Sequence, residues 1–533
     1  MIKNYYILNF IYKECKIVKE NIYFMGTDIG TLGTKSIIVD INGKIVSSDY
    51  QEYGILTPFP LWAEQWPDVW FRAACKTIKN ALVKGQIPAE KIMGLTISGL
   101  YGGSGIPCDE NINAIRPCLI WMDRRATDEV EQVKKNIGEK KIFEITANYI
   151  DSYYGFTKIL WIKNKEPEVW KKIKYLLTPN AYVIYHLTGS RSMDYCSAGN
   201  IGGIFDMKKR DWSQELLNAM KIPRHFFPEE LSESSKVVGK INSMGAQLTG
   251  LIESTPVCAG GVDCVVATLG AGAFGEGDHV AMIGTSMAWG IIHNGQNYSP
   301  SLISMPNVAY SKDKVYSFAG SATAGAIIQW FREQFGQIEK TMGKLTNLNP
   351  YSILDLLAEK IAPGSERLIV LPYFMGERAP IWDVNARGTI FGLTLYHTRA
   401  HIYRACLEAV AYSLRNCIDN GKKLKMKINK NLIMVGGATK STVWKRIFAD
   451  ITQFPIVCIS GSGEAPYGDA LLSAVGVGAV KNFEVIKNWL SYESVIEPIS
   501  NNVKIYEDYF KQYLGLYESL KNSMNSLVKF NLS

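Results

Sequence analysis

The sequence predicts an α/β fold in two large domains, and three observations support this prediction. The chain of 533 residues is too long for one hydrophobic core, because single cores stop growing at roughly 250–300 residues. Amphipathic stretches with helical periodicity alternate with short apolar runs, which is typical of α/β domains. A glycine-rich hairpin pattern also occurs once in each half of the chain.

The first hairpin pattern opens the organised part of the sequence. Residues 22–28 favour a strand, 30–35 a tight polar turn and 36–41 a second strand. The dipeptide Asn42-Gly43 is a strong signal for a two-residue hairpin, and 44–48 favour a third strand. A glycine-rich β-meander is therefore expected at the start of the first domain.

A comparable pattern returns near the middle of the chain. Residues 279–283 and 287–293 favour strands, and the turn Gly284-Thr285-Ser286 joins them. This repetition suggests that two related halves each present one hairpin that faces phosphate.

Helices and strands alternate through the rest of the sequence. Between the two hairpins, helices are expected over 66–84 and 157–165, and a strand over 92–97. After Gly421, the expected elements are strand 432–435, helix 442–452, strand 456–459, a small-residue helix from Gly468 and a surface helix over the final thirty residues.

The composition excludes several classes of protein. Apolar residues make up 47% and charged residues 20%, which fits neither a disordered chain nor a membrane protein. The net charge is +8, but the lysines are scattered, so no nucleic-acid partner is expected. No apolar stretch approaches the ~20 residues that span a bilayer, and no signal-peptide cleavage site is present. Ten cysteines without a C-x-x-C pair favour reduced thiols, hence a cytoplasmic protein.

The first motif with clear chemistry runs from Gly26 to Lys35. Its glycines allow backbone N–H groups to approach phosphate oxygens, and Thr31 and Lys35 add a hydroxyl and a positive charge. Asp28, at the end of the first strand, could hold hydrated magnesium. The alternative is an ordinary β-turn with an exposed lysine.

Two other patterns are weaker signals. The spacing of Gly270, Gly272 and Gly275 matches G-x-G-x-x-G, but it follows a helical stretch and predicts a helix-ending loop rather than a dinucleotide site. His397 and His401 have helical spacing, but no third ligand is near, so we expect structural hydrogen bonds rather than zinc.

Asp263 follows a pair of glycines, Gly260 and Gly261, and precedes a small apolar run. At the start of a helix this aspartate could act simply as a cap. The two glycines would also leave its carboxylate accessible to a ligand, where it could accept a proton from an attacking hydroxyl.

Several motifs in order resemble those of the FGGY carbohydrate kinases. The resemblance extends over about residues 22–480, and its motifs are Asp28-x-Gly30-Thr31-x-x-x-Lys35, Met193-Asp194-Tyr195-Cys196-Ser197-Ala198, Asp263 after paired glycines, Ile283-Gly284-Thr285-Ser286, Pro372-Tyr373-x-x-Gly376-Glu377-Arg378, residues 388–408 and Gly436-Gly437-Ala438.

This resemblance implies an actin-like architecture of two ribonuclease-H-like α/β ATPase domains with a catalytic cleft between them. It also implies ATP and Mg²⁺ as cofactors and a small sugar as substrate. Asp263 would be the general base, and Asp28 would bind magnesium through water. The nucleotide and its phosphates would be held by Gly30, Thr31, Lys35, Gly284, Thr285, Gly325, Gln329, Gly436 and Gly437.

The substrate residues implied by the resemblance are Tyr101, Gly102, Asp123, Tyr153 and Asp263. Xylulokinase-like members carry a Q-M-H-G segment where this chain has Leu100-Tyr101-Gly102-Gly103, so the imidazole expected there is absent. The pattern over 376–408 is nevertheless similar to xylulokinase-like members, which favours a ketopentose such as xylulose. Another sugar, a polyol or a sugar acid is the alternative.

The expected organisation is an extension over 1–21, an N-terminal domain on the sugar and phosphate side over 22–275, a nucleotide-side C-terminal domain over 276–500, and a helical tail over 501–533. A homodimer is left open. Two rival functions remain at this point: a non-catalytic sugar-binding regulator, and an actin-like or chaperone-like ATPase that needs no sugar.

Overall fold

The computed structural model describes residues 22–101, 103–460 and 464–530; the expected extension over 1–21 lies outside them. The strands in chain order are β1 Tyr23–Ile29, β2 Gly33–Asp40, β3 Ile45–Glu52, β4 Glu64–Gln65, β5 Ile92–Gly99, β6 Ile106–Cys108, β7 Cys118–Leu119, β8 Tyr175–Leu177, β9 Phe205–Asp206, β10 Asp211–Trp212, β11 Val237–Lys240, β12 Pro256–Cys258, β13 His279–Ile283, β14 Met287–His293, β15 Ile303–Pro306, β16 Val315–Ala319, β17 Ile369–Leu371, β18 Thr389–Phe391, β19 Leu432–Gly436, β20 Ile456–Ser460 and β21 Ser491–Tyr492.

The α-helices, numbered in the same way, are α1 Pro67–Gly85, α2 Thr127–Asn136, α3 Glu139–Thr146, α4 Gly155–Lys165, α5 Pro167–Trp170, α6 Pro179–Thr188, α7 Tyr195–Asn200, α8 Gln214–Met220, α9 Ser243–Thr249, α10 Asp263–Gly270, α11 Gly325–Phe335, α12 Gln337–Thr346, α13 Pro350–Glu359, α14 Arg399–Lys422, α15 Thr442–Thr452, α16 Ala465–Gly476, α17 Ile486–Trp489 and α18 Ser500–Leu527. Across the described ranges, no helix combines the length and the apolar character needed to cross a membrane.

The chain divides into two compact units by its internal contacts. The first unit contains the described residues up to Phe274 together with Ser304–Tyr316 and the described part of Gly461–Ser491. The second contains Gly275–Ile303, Ser317–Ser460 and the described part of Tyr492–Ser533. Helix α16 therefore belongs to the first unit although it follows most of the second in sequence. The domain limits expected from the sequence stay a prediction.

The first unit contains a mixed six-stranded sheet with the order β11-β12-β5-β1-β2-β3. Strands β1, β2 and β3 form the expected antiparallel meander, whereas β5 lies parallel to β1 on its other side. The turn is shorter than the sequence suggested, because β2 already begins at Gly33 and Lys35 pairs with Asp28 in the ladder. The polar residues that favoured a longer turn instead form the start of a strand.

Two helices of the first unit pack on this sheet. Helix α1 packs on β2 and β3, and α16 packs on β1 and β5. The approach of α16 to β1 requires a glycine, since a Cβ on Gly26 would lie 1.9 Å from the carbonyl oxygen of Pro466. The buried core beneath includes Met25, Ile38, Trp70, Ile78, Leu95 and Ile97.

The second unit repeats the expected hairpin. Strands β13 and β14 are antiparallel, with the bounds predicted from the sequence, and β19 and β20 extend the sheet in parallel beyond β13. The mixture of a hairpin with parallel neighbours gives this unit the same kind of sheet edge as the first.

A buried charge network joins α14 to α18 in the second unit. The carboxylate of Glu408 accepts hydrogen bonds from the Arg404 guanidinium at 2.9 Å and from the Tyr506 hydroxyl at 2.8 Å. The N–H of Gly364 and the hydroxyl of Ser365 donate to it at 3.0 and 2.8 Å. The final helix, predicted to lie on the surface, therefore also anchors the core through one buried face.

Replacing the buried carboxylate should destabilise this unit strongly. Glu408→Ala would leave the Arg404 charge buried without its partner, which costs about 3–5 kcal/mol of unfolding free energy. Asp508→Ala on the exposed face of α18 is the control and should change stability by no more than about 0.5 kcal/mol. Urea titration and calorimetry of both variants test this; equal effects would contradict the assignment.

Candidate active site

Two aspartates predicted as site residues lie at one edge of the first unit, where β1 and β5 end and α10 begins. Asp28 lies near the carboxyl end of β1, and its ladder partners are Lys35 on β2 and Ser98 on β5. Asp263 begins α10, directly after Val262, which bridges to Gly99 at the end of β5. The carboxyl ends of parallel strands are where α/β proteins bind ligands. This edge therefore combines the predicted metal residue and the predicted base.

Burial raises the pKa of both aspartates at this edge, and neighbouring carboxylates add to the shift for Asp28. Burial raises the pKa of Asp28, and the nearby carboxylate of Asp263 raises it further. Burial also raises the pKa of Asp263, although its Oδ1 accepts a 2.6 Å hydrogen bond from the N–H of Cys264. Asp28 and Asp263 are partly exposed, so a ligand can reach them. A site of this kind favours a cation, because positive charge offsets the repulsion.

The edge contains a third aspartate and a glutamate that the sequence patterns did not single out. Asp469 on α16 is fully buried and accepts a 2.5 Å hydrogen bond from the hydroxyl of Ser98. Glu464, just before α16, forms an ion pair with Lys35. The sequence predicted this helix from Gly468, whereas it begins at Ala465, and no local pattern indicated its partners.

The turn after β1 is held by side chains from three other segments. The N–H of Gly30 donates to the Gly33 carbonyl at 2.9 Å, and the Tyr53 hydroxyl donates to the Gly30 carbonyl at 2.7 Å. Gln65 donates to the Thr31 carbonyl at 2.9 Å, and the Trp121 indole donates to the Thr31 hydroxyl at 3.0 Å. The turn is thereby fixed before any ligand arrives.

Three of the residues predicted to contact substrate are buried. Tyr101 and Tyr153 are buried with ring centroids 5.0 Å apart, and the Tyr101 hydroxyl accepts a hydrogen bond from the N–H of Gly155. Asp123 is fully buried in an ion pair with Arg125 at 2.7 Å. Position 102, which was also predicted to contact substrate, lies outside the described residues.

Arg124 adds a charge beside these tyrosines. Its guanidinium lies 5.8 Å from the ring centroid of Tyr153 and forms a 2.6 Å ion pair with Asp151, yet the side chain remains 20% exposed. It was not among the predicted site residues. A partly exposed guanidinium of this kind can pair with an anionic group of a ligand.

A cavity of about 420 Å³ lies within the second unit. Its walls contain the predicted residues Gly284, Thr285, Gly325, Gln329 and Gly437. The other lining residues are Ile283, Ile328, Asn349, Tyr351, Ser352, Asp355, Tyr403, Ala438, Lys440, Ser441 and Trp444. The amino end of α11 meets the hairpin turn there, since the N–H of Gly325 donates to the Gly284 carbonyl at 2.9 Å. The N–H of Ala326 likewise donates to the Thr285 carbonyl at 3.1 Å, so the start of α11 holds the hairpin turn in place beside the cavity.

Two family models match the chain in tandem: the N-terminal domain of the FGGY family of carbohydrate kinases over residues 23–270, and the C-terminal domain of the same family over residues 280–477. The chain belongs to the FGGY family of carbohydrate kinases. It is therefore a phosphotransferase that acts on a carbohydrate, and the family uses ATP as the phosphoryl donor. This confirms the enzyme class, and the regulator and ATPase alternatives lose their main support.

The chain is similar to relatives that are named for two different substrates. The xylulose kinase of Lactococcus lactis is 29% identical over 519 residues, covering 96% of this chain and 99% of the relative. The gluconokinase of Bacillus subtilis is 28% identical over 519 residues, covering 95% and 98%. The crystal structure of ligand-bound xylulose kinase from Lactobacillus acidophilus matches with a TM-score of 0.87 at 27% identity over 95% of this chain and 99% of that one. The two-domain actin-like fold is confirmed.

Gly437 lines the cavity and allows a direct test of it, whereas the predicted residue Gly436, at the end of β19, is not among the lining residues. A Cβ on Gly437 would meet no atom closer than 4.0 Å, so Gly437→Ala should fold normally and project a methyl group towards the cavity. Such crowding should weaken ATP binding by about 1–3 kcal/mol, measured by isothermal titration.

Gly436→Ala is the contrasting variant. Gly436 has a φ of +98°, and its Cβ would lie 2.4 Å from the Ile283 carbonyl oxygen, so this change should lower the melting temperature. Unchanged ATP affinity in a folded Gly437→Ala protein would contradict the nucleotide assignment.

Proposed function

We propose that the protein transfers the γ-phosphoryl group of ATP to a hydroxyl of a ketopentose such as xylulose. The observation that carries the phosphoryl transfer is the pairing of Asp28 and Asp263 at one sheet edge beside Lys35, and the similarity to xylulose kinases supports the ketopentose. The second unit adds a cavity that ends at a hairpin turn and a helix amino end. These are the parts that in-line phosphoryl transfer requires: a base, positive charge and a nucleotide pocket.

Asp263 is the general base in this proposal. Its partly exposed carboxylate accepts the proton of the sugar hydroxyl as that oxygen attacks phosphorus. Lys35, Gly30 and Thr31 hold phosphate oxygens from the first unit, whereas Gly284, Thr285, Gly325 and Gln329 line the nucleotide cavity of the second. Gly436 and Gly437 border the adenosine.

Magnesium fits the donor set of the first unit. Among the described residues, no group of three or more His, Cys, Asp or Glu side chains is arranged to enclose a metal ion. Asp28 is, however, a partly exposed carboxylate whose pKa is raised by burial and by Asp263, and a cation would relieve that repulsion. Asp28 would hold Mg²⁺ through water, and the ion would supply charge stabilisation for the phosphates.

The proposal includes a location and partners for the protein. The nine cysteines of the described residues form no disulfide with one another, and eight of them are buried, which suits the reducing cytoplasm. ATP and a small sugar are the proposed partners, without nucleic acid or membrane. A homodimer stays a prediction.

Removing the proposed base should lower turnover. Asp263→Asn keeps the size of the side chain but cannot accept a proton, so kcat should fall by ~10²–10⁴ while ATP affinity changes little. Asp68→Asn, exposed in the first turn of α1, is the matched control and should leave kcat unchanged. Coupled measurement of ADP release tests both; near-normal turnover of the Asp263 variant would remove the assignment.

A sugar acid is the second candidate substrate, and Arg124 favours it. Its partly exposed guanidinium beside Tyr153 could bind the carboxylate of an aldonic acid such as gluconate. A neutral ketopentose has no group that needs this charge.

The two substrates can be separated by measuring ADP release across ketoses, aldoses, polyols and sugar acids. The ketopentose proposal expects the highest kcat/KM with xylulose and only a small change for Arg124→Gln. If gluconate is preferred, Arg124→Gln should raise the KM for gluconate. The expected loss of binding free energy is about 1.5–3 kcal/mol, the range for hydrogen bonds to charged groups. Sugar binding without product in every case would favour a non-catalytic regulator.

A further inference from the structure

Helix α16 places a carboxylate inside the first unit that the proposed reaction leaves without a role. Asp469 is fully buried, and α16 packs so closely on β1 that a Cβ on Gly26 would lie 2.9 Å from the Cβ of Asp469. Because α16 also packs on β5 and α10, it contacts the elements that carry both proposed catalytic aspartates. The position of Asp469 is thereby fixed on three sides.

Asp469 reaches the proposed metal residue through one serine. The Ser98 hydroxyl donates to Asp469 Oδ2 at 2.5 Å, and the Ser98 N–H points to the same oxygen at 3.2 Å. The same hydroxyl oxygen lies 3.2 Å from Oδ1 of Asp28. A serine hydroxyl has one proton and two lone pairs, so whichever group holds that proton decides how the oxygen faces Asp28. Asp469 therefore sets the orientation of Ser98.

The burial of Asp469 excludes direct contact with a ligand. Asp469 and Ser98 are both fully buried, whereas Asp28 and Asp263 are partly exposed. Within the described ranges, Oδ1 of Asp469 has no hydrogen-bond partner, so its contacts to Ser98 are what hold the carboxylate group in place. A carboxylate in this position acts through its neighbour, as the outer partners of metal ligands do.

We propose that Asp469 is a positioning residue that orients Asp28, through Ser98, for binding a hydrated divalent cation. The inference rests on the proposed role of Asp28, and it adds a residue from a distant part of the chain to the site. Asp469 neither touches the cation nor takes part in proton transfer. Its contribution is to hold the Ser98 hydroxyl oxygen 3.2 Å from Oδ1 of Asp28.

The test measures the binding of Mn²⁺ to the full-length protein by electron paramagnetic resonance, in the absence of nucleotide and sugar. Asp469→Ala should raise the Mn²⁺ dissociation constant roughly 10- to 100-fold and lower kcat, with the KM for sugar unchanged. Asp469→Asn keeps an oxygen that accepts from Ser98, so it should remain close to the wild type. Ser473→Ala, at another buried position on α16, is the control and should change neither quantity.

A second variant keeps the inference testable if Asp469→Ala does not fold. Ser98→Ala removes the intermediate hydroxyl and should weaken Mn²⁺ binding to a similar extent, and adding Asp469→Ala to it should cause no further loss, since both changes break the same contact. Normal Mn²⁺ affinity in folded Asp469→Ala or in Ser98→Ala, or a loss in Asp469→Asn as large as in Asp469→Ala, would overturn the proposal.

The role of Asp28 is tested separately by Asp28→Asn. If this variant binds Mn²⁺ as well as the wild type does, the metal assignment within the proposed function is wrong. If Asp28→Asn loses Mn²⁺ while Asp469→Ala and Ser98→Ala retain it, the metal assignment stands and only the positioning role fails.

Discussion

The repulsion among carboxylates at one sheet edge is the constraint on which the first unit depends. Parallel pairing of β1 with β5 places Asp28 beside Ser98, and the bridge from Gly99 to Val262 brings Asp263 to the same edge. Burial raises the pKa of Asp28, Asp263 and Asp469, so this edge favours the binding of protons or cations. That preference supports the proposal that a metal–nucleotide complex binds at this edge.

Much of the fold could be predicted from local sequence patterns. Strands β13 and β14 begin and end where the alternation around Gly284-Thr285-Ser286 indicated, and α15 has its predicted limits. Local chemistry decides such elements: a glycine turn between apolar strands, or a serine cap before an amphipathic run. The first turn was predicted too long because its polar residues resemble a loop, whereas Thr34 and Lys35 belong to the ladder.

The candidate site could be predicted only where each residue carries its own signal. Asp28 and Asp263 each lie two residues from a glycine, in motifs that were visible in the sequence. Asp469 and Ser98 are 371 residues apart in the chain, and Glu464 and Lys35 are 429 apart. No local pattern encodes pairs at such separation, because the return of α16 to the first unit is a property of tertiary packing. The importance of these residues became visible only once that packing was known.

The return of α16 also has a consequence for biosynthesis. During translation the sheet of the first unit emerges early, but the segment that pairs Glu464 with Lys35 and Asp469 with Ser98 emerges only after most of the second unit. Long-range contacts of this kind form late, since the intervening chain must first be ordered. A nascent chain still attached to the ribosome at residue 460 thus lacks both partners, and the acidic edge is completed only when synthesis is almost finished.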